Sequence, residues 1–275
     1  MDAATAIVTI AAIDAGKDVA KDLIIRVLGP TADYWGEGLK NLNQKAAQNI
    51  GRIFHRGSQK LSQSLENKGS VPPRIAKEIF EEGAFCENDV LVEYYSGILA
   101  SSRTEDGSDD RMIPVLSLIK SMSTAQLRTH YILYSLFRSL FIKTKNNLQI
   151  STEAAKLLML LPLKTYGESM NSKPPTTFDI TIPHCLFALA NKDLIQPNYA
   201  FGSQKFLLSQ YPEYTHLITE EGIIVAPSVL GAELFLAAHG VKNRSTNAIF
   251  DDSCLIDPFS DLPILGNARS LDIKS

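Results

Sequence analysis

The chain has 275 residues, of which 45% are apolar and 21% are charged, a composition typical of a globular protein with a buried core and room for more than one domain. Its 27 basic and 30 acidic side chains leave a formal net charge of -3, so no overall positive field attracts nucleic acid or anionic lipid. Three widely spaced cysteines argue against a disulfide framework and a cysteine zinc site. Because the first residues show neither an export signal nor an apolar run of about 20 residues, we expect a cytoplasmic protein without a stable membrane span.

Residues 1–68 are predicted to form a hairpin with a long second helix. Residues 3–28 favour a first helix that ends at Gly29-Pro30, since proline suits the first turn of a new helix. A stripe at helical spacing then indicates one helix of about eight turns; its members are Trp35, Leu39, Leu42, Ala46, Ile50, Ile53, Gly57, Leu61 and Leu65. So narrow a stripe packs against one neighbour, either the preceding helix or the same helix of a second subunit. Trp35 and Leu39 are therefore candidate interaction residues.

Residues 69–165 are predicted to form a helical bundle, which begins after a break at Pro72-Pro73. The expected helices are 73–84, 89–101, 111–122, 124–143 and 152–161. Asn88, Ser123 and Ser151 stand just before apolar-periodic runs, where a short side-chain oxygen can cap a helix. Residues 127–141 are apolar on most sides, which predicts the core helix of the bundle.

Residues 176–242 are predicted to form a smaller α+β module. Its expected elements are a strand at 177–182, a helix at 184–192, strands at 214–219 and 222–225 around a turn, and a helix at 229–239 capped by Ser228 and closed by Gly240. This order resembles the second half of a winged-helix domain. An irregular tail is expected at 243–275, so the predicted fold is mainly α: a helical hairpin and bundle followed by the winged-helix-like module.

An acidic loop between Arg103 and Arg111 is the main candidate for chemistry. It places four carboxylates within six residues, namely Glu105, Asp106, Asp109 and Asp110. Such a cluster can hold a magnesium or calcium ion, although it lacks the residue order of a calcium-binding loop. The alternative is structural: Asp109 and Asp110 favour the start of the following helix and pair with Arg103 and Arg111. These two arginines are also candidate interaction residues.

His130 is the second candidate, either as a general base near that loop or as a hydrogen-bonded core histidine. None of the five histidines follows an arginine at the spacing used by helical-bundle ribonucleases. The sequence also lacks a phosphate-binding loop, a dinucleotide-binding glycine turn and a nucleophile elbow. We therefore expect neither nucleotide hydrolysis nor serine-esterase chemistry, and no cofactor.

Four stretches carry a resemblance to a known family: residues 29–37, 71–75, 81–111 and 126–134, which together span about the first 145 residues. They resemble the abortive infection alpha family of bacterial antiphage defence proteins, also described as a domain of unknown function. The resemblance implies a role in phage resistance, in which infected cells stop growing before progeny emerge. It assigns no reaction to numbered residues.

Two classes of function follow. In the first, the protein is a non-enzymatic sensor or interaction protein that binds a phage or host protein, with residues 176–242 docking a partner or DNA. In the second, it is a toxic effector. Such an effector would either perturb the inner membrane through residues 3–28 or cleave nucleic acid with Asp106, Asp109, Asp110 and His130.

Overall fold

A computed structural model describes residues 27–28, 44–61, 67–171, 178–242, 244–254, 256 and 266–271. Within these residues the protein is mainly helical and contains one small antiparallel sheet, which confirms the predicted predominance of helix. The predicted first helix up to residue 26, and the candidate interaction residues Trp35 and Leu39, lie outside the described residues.

The chain divides into two compact units. The first unit comprises Met1–Met122 and Ala237–Asn243, and the second comprises Ser123–Leu236 and Arg244–Ser275. The break at Ser123 falls inside the segment 69–165 that the sequence predicts to be one bundle. Such a division depends on long-range packing, which segment composition does not encode.

The described helices of the first unit lie within or close to the segments that periodicity predicts to be helical, although the helix expected at 111–122 is shorter. They are α1 Gln44–Leu61, α2 Pro73–Gly83, α3 Asp89–Ser101 and α4 Ile113–Lys120. Asn88 caps α3 by accepting a hydrogen bond from the amide of Val90 at 3.0 Å, as predicted.

The apolar stripe of α1 is buried against α3. At the crossing, a β-carbon added to Gly57 would lie 3.0 Å from the side chain of Leu99, so glycine lets the two helices approach closely. The sequence did not indicate α3 as the partner, because a stripe shows that a helix face is buried without showing which element covers it. Packing against the preceding helix or against a second subunit concerns residues outside the described ones and stays a prediction.

The second unit contains the other described α-helices. They are α5 Thr124–Phe141, α6 Ser151–Ala154, α7 Leu163–Ser169, α8 Phe178–Asn191, α9 Gln204–Gln210 and α10 Val229–Ala238, the last two residues of which belong to the first unit. A capping box starts α5, since Ser123 accepts from the amide of Gln126 and the Gln126 side chain accepts from the amide of Ser123. Tyr131, Tyr134 and Phe137 are fully buried, and α5 packs against α8, so α5 is a core helix as predicted.

The sheet lies in the second unit and consists of β1 Met159–Pro162, β2 Ala200–Gly202, β3 Gly222–Val225 and β4 Arg269–Ser270. Its order is β2-β3-β1-β4, with antiparallel pairing throughout. Leu160 pairs with Ile224 in the centre, and both are fully buried. Strands buried on both faces read as continuous apolar runs rather than as alternating ones.

Three local predictions are wrong. The helix expected at 152–161 is confined to Ser151–Ala154, and its last three residues belong to β1, because a short buried apolar run does not distinguish helix from strand. The strand expected at 177–182 is helical from Phe178 onward, as part of α8. Ser151 is the first residue of α6 and makes no side-chain cap.

The predicted wing is also absent. Residues expected to form its first strand, 214–219, instead begin at the end of a 3₁₀ turn, Pro212–Tyr214, and continue as a turn. The second strand, β3, forms as predicted but pairs with β1 and β2. The strand β3 therefore has a partner on each edge, and neither partner is the segment 214–219 that the sequence predicted.

No helix within the described residues is both long enough and apolar enough to cross a bilayer.

Candidate functional site

The carboxylate of Asp106 in the acidic loop is occupied by its own neighbours. It accepts hydrogen bonds from the Ser108 amide at 3.2 Å, from the Ser108 hydroxyl at 2.5 Å and from the Thr104 hydroxyl at 3.1 Å. These bonds, those of Ser108 first, hold the pKa of Asp106 below its usual range. Gly107 turns the chain between them with a φ of 65°, a conformation that favours glycine. Asp106 thus closes a local turn.

Asp109 and Asp110 pair with two different arginines. Arg111 makes a two-pronged contact with Asp109, with Nε 2.9 Å from Oδ1 and Nη2 2.6 Å from Oδ2, and its hydrogen bonding lowers the pKa of that carboxyl. Asp110 instead lies 3.1 Å from Nη1 of Arg74 on α2. Asp109 therefore pairs within the loop and Asp110 with α2, so the two carboxylates have separate partners.

Arg103 and Glu105 complete the loop. Arg103 is buried and donates to the carbonyl of Asn67 at 2.6 Å, while its own carbonyl accepts from Lys242 at 2.7 Å. Glu105 is exposed. Among the described residues, no group of three or more histidine, cysteine or acidic side chains is arranged to hold a metal ion.

His130 lies in the core of the second unit, whereas the acidic loop belongs to the first. Its ring is fully buried, and Nε2 lies 3.0 Å from the carbonyl oxygen of Gly231. A carbonyl can only accept, so Nε2 carries the proton and donates. Burial lowers the pKa of His130 to about 3, so the ring is neutral at physiological pH and its donor is engaged.

A buried polar network surrounds His130 and fixes the start of α10. Tyr134, whose ring stacks on His130 with centroids 4.5 Å apart, donates to the carbonyl of Leu194 at 2.8 Å and accepts from the amide of Ser228 at 2.9 Å. The hydroxyl of Ser228 accepts from the amide of Gly231 at 3.0 Å, which confirms the predicted cap. These groups hold α5 and α10 in register.

A second cluster of ionisable groups lies in the first unit, and sequence reasoning did not identify it. Lys60 of α1 donates to Oε1 of Glu93 on α3 and to the carbonyl of Ala238. His239 Nδ1 lies 3.9 Å from the same Glu93 oxygen. Glu93 is 0% exposed, and only 11% of the Lys60 side chain is exposed. One sequence signal was available: Glu93 is the only charged residue from Val90 to Ser101 in an otherwise apolar helix.

Burial moves the pKa values of this pair toward each other. Desolvation raises the pKa of Glu93 to about 7 despite the opposing charge of Lys60, and it lowers the pKa of Lys60 to about 8. Perturbed pairs of this kind occur both in active sites and in structural networks. Here the ammonium group of Lys60 on α1 contacts oxygens of two other segments, Glu93 on α3 and Ala238 at the end of α10. This arrangement ties the three segments together.

Open grooves lie on the described part of the second unit. One, of about 360 Å³, is lined by residues that include Lys164, Glu220 and Arg269, and the other, of about 290 Å³, by residues that include Lys143 and Asp252. In each groove a basic side chain pairs with an acidic one: Arg269 with Glu220 and Lys143 with Asp252, both at 2.8 Å. Neither groove contains a residue that the sequence predicted as a site.

Comparison of the chain with protein-family models, with curated proteins and with solved structures found no match.

Proposed function

We propose that this protein is a bacterial antiphage protein of the abortive infection type, and that it acts as a non-enzymatic sensor or interaction protein. The defence role rests on the resemblance carried by residues 29–37, 71–75, 81–111 and 126–134. The non-enzymatic mode of action rests on one observation: the side chains with catalytic potential already serve structural partners. Asp106 and Asp109 are bonded within their loop, and His130 is bonded to a buried carbonyl.

An exposed aromatic residue supports recognition by the surface. The side chain of Phe85 is 83% exposed between α2 and α3, within the block 81–111 that carries much of the resemblance. Exposed aromatic rings are costly in water and are enriched where proteins bind one another. A substitution of Phe85 therefore tests whether this surface binds a partner.

The experiment is a plaque assay in cells that carry this gene alone. Wild-type protein should reduce plating of at least one phage, and Phe85→Ser should remove that protection while the melting midpoint stays unchanged. Ile150→Ser is the matched control, since Ile150 is a large apolar residue of the second unit that is 44% exposed. Absence of protection by the wild type across a broad phage panel would refute the defence role.

The nuclease alternative makes the opposite prediction for the acidic loop. If Asp109 and Asp110 hold a catalytic ion, Asp109→Ala with Asp110→Ala abolishes protection in a protein that still folds. If they serve the loop alone, protection survives. Purified wild-type and variant protein, incubated with phage DNA and RNA in the presence of magnesium, provide a second readout independent of infection.

The membrane and DNA-binding alternatives are tested separately. Membrane perturbation through residues 3–28 predicts dye leakage from liposomes that is lost when those residues are removed. DNA binding through residues 176–242 predicts an affinity that falls steeply as salt concentration rises, because bound counterions are released from the phosphates.

A further inference from the structure

The segment 237–242, here called the strap, belongs to the first unit, whereas the chain from Ser123 to Leu236 and from Arg244 onward belongs to the second. It starts in the last turn of α10, which ends at Ala238. Gly240 then turns the chain with a φ of 75°, and its amide donates to the carbonyl of Ala237 at 2.9 Å. The strap is thus a short piece of chain laid onto the helices of the first unit.

The strap touches the backbone of α3 directly. A β-carbon added to Gly97 would lie 2.0 Å from the carbonyl oxygen of Ala238, so only glycine permits this approach. A β-carbon added to Gly240 would lie 3.1 Å from Cβ of Lys60 and 3.2 Å from Cβ of Ala100. Such contact provides a close fit, but glycine contributes no side chain to bury.

Polar contacts therefore fasten the strap. Lys60 reaches the Ala238 carbonyl and also contacts Glu93, through the carboxylate and through the main-chain oxygen at 3.4 Å. His239 lies beside the same carboxylate, and Lys242 donates to the carbonyl of Arg103 at 2.7 Å. The Lys60, Glu93 and His239 group joins α1, α3 and the strap at one point.

This fastening is energetically expensive for the fold. Glu93 is fully enclosed, and its Oε2 has no hydrogen-bond partner among the described residues. Arg56, the other charged group of α1 that acts on Glu93 and Lys60, opposes the charge on Lys60. Removing two charges from water carries a large desolvation penalty, and their mutual attraction often does no more than offset it. These polar contacts hold the strap in place without adding buried apolar surface to the core.

We propose that the Lys60–Glu93–His239 cluster is a releasable clasp, so that the strap opens from α1 and α3 as a local event while the helices of the first unit stay folded. Opening exposes the faces of Gly97 and Ala100 that the strap covers, and it returns Lys60 and Glu93 to water. The solvation of these two charges offsets the lost contacts. The fold thereby contains a switch element that is independent of the proposed role in defence.

The test is hydrogen exchange of the full-length protein, read by mass spectrometry on peptides from the strap and from α3. In the wild type the strap amides should exchange at least about tenfold faster than the core amides of α3, because local opening needs less free energy than unfolding. Lys60→Met should speed exchange of the strap by about tenfold or more, since it leaves Glu93 buried without its partner, and α3 should be much less affected.

Two further variants make the result specific. Lys60→Met with Glu93→Leu removes both charges and should slow exchange of the strap to the wild-type rate or below. Lys120→Met with Glu78→Leu removes an exposed ion pair of the same unit, 2.7 Å in length, and should leave the strap unchanged. Trypsin cleavage after Lys242 under native conditions should follow the same order as the exchange rates.

One outcome overturns the proposal whatever the variants do. If the strap and α3 of the wild type exchange together, at the rate of global unfolding, the strap is an inseparable part of the core. If Lys60→Met does not fold, two comparisons still test the proposal. One is exchange of the strap against α3 in the wild type, and the other is exchange of the strap in the double variant against the wild type. A double variant whose strap exchanges faster than that of the wild type would also contradict the clasp.

Discussion

Gly231 offers the sharpest test of the network around His130. The perturbation is Gly231→Ala, which adds one methyl group near the start of α10. In an exposed helix this change stabilises by about 0.5–1 kcal/mol, because alanine has less backbone freedom to lose. Here the added β-carbon would lie 2.0 Å from the Tyr134 hydroxyl and 2.3 Å from the carbonyl oxygen of Leu194. The methyl group and these two oxygens cannot occupy the same space.

The expected loss follows from what must move. Shifting the Tyr134 hydroxyl breaks its bonds to Leu194 and Ser228, and a buried polar group left without a partner costs about 1–3 kcal/mol. Overpacking the site costs about 1–3 kcal/mol in addition. After the gain in helix propensity is subtracted, Gly231→Ala should lower the free energy of unfolding by about 3 kcal/mol, which corresponds to a fall of about 6–12 °C in the melting midpoint.

The assay is urea unfolding of wild type and variants, followed by circular dichroism. Gly266→Ala is the control, because nothing lies within 4 Å of its added β-carbon, and it should change stability by no more than about 0.5 kcal/mol. In the double variant Tyr134→Phe with Gly231→Ala, the hydrogen bonds of the hydroxyl are lost once, whereas each single variant loses them separately. The combined loss should therefore be smaller than the sum of the single losses, although the ring carbon Cζ would still lie 2.4 Å from the added β-carbon. A Gly231→Ala variant as stable as the control, or strict additivity in the double variant, would refute the reasoning.

Three further predictions follow from the same structure. Burial raises the pKa of Glu93 from 4.5 to about 7, so its contribution to stability falls as pH rises from 4.5 to 7. Burial lowers the pKa of Lys60 from 10.5 to about 8, so its contribution recovers as pH rises above 8. Urea titrations across this range should show a minimum of stability at pH 7–8 that is missing from Lys60→Met with Glu93→Leu. Ser123→Ala should cost about 1 kcal/mol by removing the cap of α5, whereas Ser151→Ala, at a position without a side-chain cap, should change the unfolding midpoint much less. Asp109→Asn, which weakens the exposed contact to Arg111, should shift the melting midpoint no more than Gly266→Ala does; a large shift would assign the loop a greater structural role than its exposure indicates.

Local features were readable from the sequence. Asn88, Ser123 and Ser228 were identified as caps because a cap depends on a side chain and on amides two or three residues away. The apolar character of α5 predicted its burial, and the run Gly222–Val225 was identified as a strand. In each of these cases the interaction that matters is encoded within one turn or one strand of the chain.

Only the tertiary structure decided which segments meet. The residue pair Lys60 and Glu93 is separated by 33 positions, and Lys60 and Ala238 by 178, so no local pattern could bring them together. The same limit explains the missed pairing of β1 with β3 and the wrong prediction of a wing. An apolar run indicates that a strand is buried but does not indicate which strands pair with it. The sequence by itself determined which segments are apolar, which helices are capped and which residues are charged. Long-range packing determined which charged residues are buried together, because the free energy of a contact depends on residues that become neighbours only when the chain folds.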